Sequence, residues 1–236
     1  QVGCAGGAGT GRTLAASGYF EAVRFSAEDR SRAQFYNDNA RRIALRTQAG
    51  DVASYLASLE MVISFQPFDE AGRVRITQLI NKSNQFNLTT RRYTEAEVRE
   101  VAEDPDCFTL QVGLADVFGN NGMISVVICR RSGSDWRVDT WLMSCRVLGR
   151  RVENAILEEL VGQARQRGIA RIIGAYRPTE RNKLVEDHYA KLGFMRLAAG
   201  EDGSTIWQLE VDAVPGEDLP MRVERRGFDV PAVVAG

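Results

Sequence analysis

"SCRVLGRRVENAILEEL", residues 144–160, reads as the end of a strand, a tight basic turn and then a helix, because the apolar positions of "AILEEL" (155–160) fall into helical register. Whether the sheet continues beyond this helix decides the fold. A turn leading into a helix can hold a phosphate on the free N–H groups of the helix N-terminus. In one register Arg146 and Gly149 fit such a turn and only Arg151 stands where a close backbone approach calls for a small residue. In the register set by "AILEEL", which is preferred, Arg151 and Glu153 both stand at such places. Glu153 would meet an anion at a Coulomb cost on the order of 1 kcal/mol when partly screened. Gly149 and the arginines 146, 150 and 151 leave two readings: a cationic rim for a single phosphate, or a solvated turn in which Glu153 pairs with an arginine.

Working outward, "CFTLQVGLAD", "GMISVVICR" and "DWRVDTWLMS" precede the turn as three β-rich runs joined by "VFGNNG" and "RSGS", which is the spacing of an antiparallel meander. Beyond the helix come a strand "ARIIGAYRP", a helix "RNKLVEDHYAKLG" and two strands, "FMRLAAG" and "STIWQLEV". Upstream, "MVISFQPF" is a strand, followed by a helix capped by Asp69 and a short helix from Thr94. A long charged helix from Ser26 to Gly50, with Asp29 three residues after the Ser26 cap, and a shorter one after Asp51 come first. The expected domains are a flexible leader (1–12), a helical extension (13–60), one mixed-sheet domain flanked by helices (61–211) and a loosely attached tail (212–236). The class is α+β.

The 236 residues carry 44% hydrophobic and 26% charged residues at a net charge of −1, which supports a buried core and excludes the basic excess of a nucleic-acid binder. No run approaches the ~18 apolar residues that span a bilayer, so the expected location is the cytoplasm, with no membrane partner. The four cysteines are far apart and the one histidine completes no metal-ligand spacing, so reduced thiols and no metal are expected. Gly6 to Thr13 imitates a phosphate loop, but no buried strand precedes it and Arg12 replaces the lysine. The Asn-x-Ser/Thr triplets at Asn81 and Asn87 carry no weight without a secretory signal.

The element order resembles the GNAT acyltransferase fold, and in "NKLVEDHYAKLGF" the residues Asn182, Tyr189, Gly193 and Phe194 match that family's common ending. Longer strings, "SLEMVISF", "QLINKSNQFNLTTRRYT", "GMISVVIC" and "WLMSCRVLGRRVE", look like the C-terminal part of the FkbH-like family. In that family a haloacid-dehalogenase-type domain precedes a GNAT-like region and serves glyceryl-carrier-protein formation for polyketide extender units. Residues 1–60 contain no DxDx aspartate motif, and Asp29 and Asp51 sit where carboxylates cap helices. The dehalogenase-type chemistry is therefore not assigned to this chain.

The resemblance implies a GNAT-like acyltransferase acting on acyl, including glyceryl, thioesters, with acyl-CoA or the phosphopantetheine of an acyl carrier protein as cofactor. The alternative is a catalytically degenerate domain that docks a carrier protein or supports a dehalogenase-type domain. Tyr189 is the candidate acid for a departing thiolate, or a packing tyrosine. Cys145, at the strand end, is a candidate acyl acceptor or a structural thiol. The cofactor-side candidates are Met143, Arg146, Gly149, Arg150, Arg151 and Asn182. On the substrate side, "NKSNQFNLTTRRY" supplies amides, hydroxyls and cations in Asn84, Gln85, Asn87, Thr89 and Arg91, and His188 joins them from the C-terminal helix. A loop tied down by its own side chains is the plainer reading of that stretch. Asp116 binds the cleft or caps its turn.

Overall fold

The computed structural model describes residues 38–47 and 49–228; the leader and the expected cap at Ser26 lie outside the described residues. Residues 38–47 are helical (α1), and α2 (Val52–Ser58) is capped by Asp51, whose carboxylate accepts from Ser54 N–H at 2.8 Å. The elements that follow are β1 (Met61–Gln66), α3 (Arg73–Lys82), α4 (Glu95–Glu103), β2 (Cys107–Asp116), β3 (Gly119–Ser132) and β4 (Asp135–Met143). After them come α5 (Val152–Gln166), β5 (Arg171–Tyr176), α6 (His188–Lys191), β6 (Met195–Ala199), β7 (Thr205–Glu210) and β8 (Met221–Arg225).

The strands form one eight-stranded mixed sheet in the order β6-β7-β5-β4-β3-β2-β1-β8. β1 to β4 are an antiparallel meander, α5 then crosses over, and β5 lies parallel to β4. One face packs α5 and α6, with Ile156, Leu160 and Tyr189 against Trp136, Trp141 and Ile172. The other packs α3 and α4, with Ile76, Ile80 and Val98 against Val126, Ile128 and Leu142. Each fully buried Ile or Leu in these layers contributes about 1.5–3 kcal/mol relative to exposure.

Local chemistry fixes several boundaries. Thr94 and Glu97 form a reciprocal capping box at the start of α4. Asp69 accepts from Gly72 N–H at 2.6 Å, so it holds the turn before α3 while Gly72 is the cap residue itself. Asp116 accepts from Phe118 N–H at 3.0 Å across the β2–β3 turn.

Two expectations need correction. The helix expected over "RNKLVEDHYAKLG" shrinks to a 3-10 turn (Lys183–Val185) and the single turn of α6. Gly193, at φ 80, ends α6, and Phe194 N–H returns to the Tyr189 carbonyl at 3.0 Å. The expected loose tail instead supplies β8, which pairs parallel to β1 from Met61↔Met221 to Phe65↔Arg225. It is fastened to α5 by Arg225 to buried Glu159 at 2.7 Å and by Asn154 to Glu217 at 2.9 Å. A short β-rich run after two prolines leaves little periodicity to read, and it is the unpaired edge of β1 that recruits it.

Candidate functional site at the fork between β4 and β5

β4 and β5 are parallel neighbours but pair only over Asp135–Arg137 with Arg171–Ile173. Beyond that point they part. A crevice at the carboxyl ends of parallel strands, next to the crossover, is where open mixed sheets place ligands. Asp139 begins the divergence: the register between β3 and β4 shifts between Ile128 and Cys129, which face Thr140 and Val138, so Asp139 has no opposite partner.

The parted edge of β4 does not stay empty. Residues Phe86 to Thr89, from the link between α3 and α4, run antiparallel along it with a bridge at Asn87↔Leu142. Leu88 N–H donates to the Trp141 carbonyl and Met143 N–H to the Phe86 carbonyl, both at 3.1 Å. On the other side Arg177 N–H donates to the Leu88 carbonyl at 2.9 Å. Thr89 Oγ1 donates to the Asp139 carbonyl at 2.7 Å. Buried Asn182 fastens the segment, its Nδ2 donating to the carbonyls of Asn87 (3.0 Å) and Arg177 (2.9 Å) while its Oδ1 accepts from Thr179 N–H. Asn87 uses its own side chain on the Ser83 carbonyl and the Thr90 N–H.

Beneath the fork lies a cluster of aromatic polar groups. His188 meets Phe86 and Trp141 edge-on, at ring separations of 5.0 and 4.6 Å, and Tyr189 packs on Trp141, His188 and Phe194. Trp141 Nε1, His188 Nε2 and Tyr189 Oη are all buried and have no hydrogen-bond partner among the described residues. Such groups are uncommon in native interiors, and the three rings that carry them pack on one another. Burial pushes the Tyr189 phenol far up, opposed slightly by the nearby Ala175 N–H, so it is a proton donor across the physiological range. Burial, and secondarily Lys191, pushes His188 down to about 3, so its imidazole is neutral. Gly174 on β5 is required by the close approach of Tyr189: a Cβ there would lie 2.3 Å from the ring.

Two clefts of ≈ 720 Å³ each are lined by the chain on either side of the segment, 82–86 in one and 89–91 in the other. Asn84, Gln85, Met143 and exposed Cys145 line the first, and Thr89 and Arg91 line the second. Asn182, Asn87, His188 and Tyr189 are buried and line neither of these two clefts.

The turn before α5 is arranged differently from a phosphate cradle. Gly149 (φ 74) and Arg151 (φ 61) both take the left-handed conformation, and Arg151 caps α5 without a side-chain hydrogen bond. Its guanidinium instead pairs with Glu217. Arg150 is buried against Asp116 at 2.9 Å and also donates to the Arg146 carbonyl. Arg146 donates to Ser144 Oγ at 3.0 Å, and burial, with Arg75 adding to it, lowers its pKa. Glu153 stays in the first turn of α5, where burial raises its pKa against the pull of Lys191. The fit to a CoA or phosphopantetheine arm is therefore split. The fork offers β4 edge groups and buried donors suited to an amide-bearing thioester, but Phe86–Leu88 already pairs those edge groups. At the turn, Arg150 and Arg151 are drawn to Asp116 and Glu217, and a carboxylate, Glu153, sits in the first turn of α5.

Sequence reasoning missed Trp141, Asp139, Arg137, Arg177 and Gly174. The signal for Gly174 was available, since glycine inside a strand marks close approach, and Asp139 is a carboxylate within an apolar run. Among the described residues no group of three or more His, Cys, Asp or Glu side chains is placed to hold a metal, and no helix is long and apolar enough to cross a membrane.

The antiparallel β1–β4 unit, the α5 crossover to a parallel β5 that parts from β4, and the closing β6–β7 pair define a GNAT-like acyltransferase fold. No protein-family model matches the chain, and no curated protein matches it. Among solved structures it is similar to the ribosomal-protein-S18-alanine N-acetyltransferase from Escherichia coli, at 14% identity over 66% of this chain and 98% of that one (TM-score 0.49). It is also similar to the GNAT domain of S. lividans PAT, at 20% identity over 62% and 89% of the two chains (TM-score 0.48). The spermidine N-acetyltransferase from Vibrio cholerae, solved in complex with CoA and spermine, is 11% identical over 64% and 96% (TM-score 0.49).

Proposed function

We propose that this chain is a GNAT-like acyl-transfer domain whose donor is a thioester, carried by acyl-CoA or by the phosphopantetheine arm of an acyl carrier protein. The resemblance to the FkbH-like family favours a carrier-bound acyl group, glyceryl among the candidates, in polyketide-type metabolism. In this reading the thioester seats at the fork when Phe86–Leu88 withdraws, and the edge groups Trp141 C=O and Met143 N–H exchange the segment's amides for the arm's. The acceptor's nucleophile then attacks the thioester carbonyl, the C–S bond breaks, and the departing thiolate takes the Tyr189 phenolic proton, which the proton released by the acceptor replaces. The observation that carries the proposal is the trio of buried, unpartnered polar atoms on Trp141, His188 and Tyr189, whose rings pack together and reach Phe86 of that segment through His188.

A second reading, a domain that docks a carrier protein without chemistry, draws on the closed fork and on Glu153 at the start of α5. Calorimetric titration with acetyl-CoA, with acyl-loaded carrier and with bare carrier separates the two. Preference for loaded over bare carrier, or saturable binding of acetyl-CoA, supports transfer; equal binding of both carrier forms with no CoA binding supports docking. Tyr189→Phe is expected to keep thioester binding while slowing transfer by about 10²–10⁴-fold.

A further inference from the structure

The cleft on the Thr89 side of the fork has a charge pattern that the acyl-transfer reading does not require. Arg91, Arg130, Arg137 and Arg177 all line it, in a chain whose net charge is −1. Its floor is apolar, formed by Val138, Ile173, Ala175 and Ile206. Asp139 is the one carboxylate in the lining, and it is heavily engaged. It accepts from Tyr93 Oη and from Thr140 Oγ1, pairs with Arg91, and lies 3.5 Å from Arg130. Burial first, then Asp139, pushes the Tyr93 phenol up to about 12, so that hydrogen bond persists across the working range. Asp139 thus holds two guanidiniums in place without neutralising the cleft. Asp104 approaches Arg130 at 3.7 Å, and Asp202 lies within the field of Arg177. Arg137 and Arg177 are exposed and form no ion pair among the described residues. The rim is also set: Thr90, a β-branched residue, is held at φ 56 by its N–H bond to Asn87 Oδ1.

We propose that this cleft binds a small anion, a carboxylate or a phosphate ester on an apolar body, with Arg137 and Arg177 as the headgroup's partners and Arg91 and Arg130 as a pre-ordered cationic wall. Planar guanidiniums suit both headgroups through paired N–H bonds. The apolar floor takes the body of the molecule and leads toward Asp139 and the fork. The inference rests on the acyl-transfer reading for its role, which is to present a negatively charged second substrate to the thioester; the binding stands without that role.

Titration with inorganic phosphate, with hexanoate and with neutral hexanamide tests it on the full chain, alongside Arg137→Gln/Arg177→Gln and a control, Arg99→Gln, on the exposed face of α4. The expected result is saturable binding of at least one anion that weakens by about tenfold or more in the double variant. The control should bind as the parent chain does, and hexanamide should not bind. The tighter of the two anions identifies the headgroup. No saturable binding by either anion, or equal weakening in the control, overturns the proposal. An acetyl-CoA isotherm on the same samples reports the acyl-transfer reading separately: thioester binding with neither anion bound leaves that reading standing and this one refuted.

Discussion

His188 is the residue whose position has the clearest thermodynamic consequence. Wedged between Phe86 and Trp141, it is held neutral in the fold, its pKa pushed down to about 3, whereas an unfolded chain titrates it at about 6.5. Between those values the unfolded state binds the extra proton. The stability contribution is therefore complete above pH 6.5 and is lost as pH falls, at a limiting slope of about 1.4 kcal/mol per pH unit. Denaturant midpoints at pH 7, 6 and 5 should fall progressively, and His188→Phe should flatten that fall; parallel curves for the two proteins would contradict the assignment. Gly174 carries a steric test of the same cluster. Gly174→Ala forces a methyl against a Tyr189 ring hemmed in by Phe194 and Trp141, and the expected cost in urea unfolding is about 1–3 kcal/mol. Unchanged stability would mean the ring is free to move.

At the scale of elements, the segment Phe86–Leu88 behaves as a short ninth strand that β4 captures where β5 leaves it. It is held by hydrogen bonds to β4, Arg177 and Asn182 and by the burial of Phe86 and Leu88 in the core, so it opens only when those contacts are given up, as a unit smaller than the sheet. Asn182 is the main fastening, so Asn182→Ala, which strips the hydrogen bond from the Asn87 carbonyl, should favour opening by about 1–3 kcal/mol. Amide exchange at Leu88 and Arg177 is then expected to quicken by about five- to a hundredfold, while amides paired between β3 and β4 stay protected. Uniform acceleration across the sheet would instead show global destabilisation. Through the same bonds Asn182, in the "NKLVEDHYAKLGF" stretch, joins the segment to the exit of β5.

Over the whole molecule, the order of elements from Met61 onward was legible because hydrophobic period and turn chemistry agree. β-rich runs between tight turns mark β2 to β4, Thr94 opens α4, and "AILEEL" sets the register of α5. What was not legible is long-range. Nothing in "QFNL" distinguishes a strand-like segment from a loop, because its pairing is decided by an edge that β4 exposes far along the chain at Leu142. β8 escaped for the same reason, as did the pairing of Arg150 with Asp116 and of Arg151 with Glu217, which draws two of the three turn arginines away from a rim role. The grouping of four arginines over an apolar floor likewise emerges only when β3, β4 and β5 are side by side.

The central claim is that a thioester arm takes the place of Phe86–Leu88 in the fork, and hydrogen exchange of individual amides with and without saturating S-acetyl phosphopantetheine tests it most directly. If the arm replaces the segment, Leu88 and Arg177 N–H, which now bond to Trp141 and Leu88 carbonyls, will exchange at least about tenfold faster. Met143 N–H will stay protected as it passes from the Phe86 carbonyl to the ligand. Binding that leaves Leu88 and Arg177 protected, or no binding at all, would contradict the account.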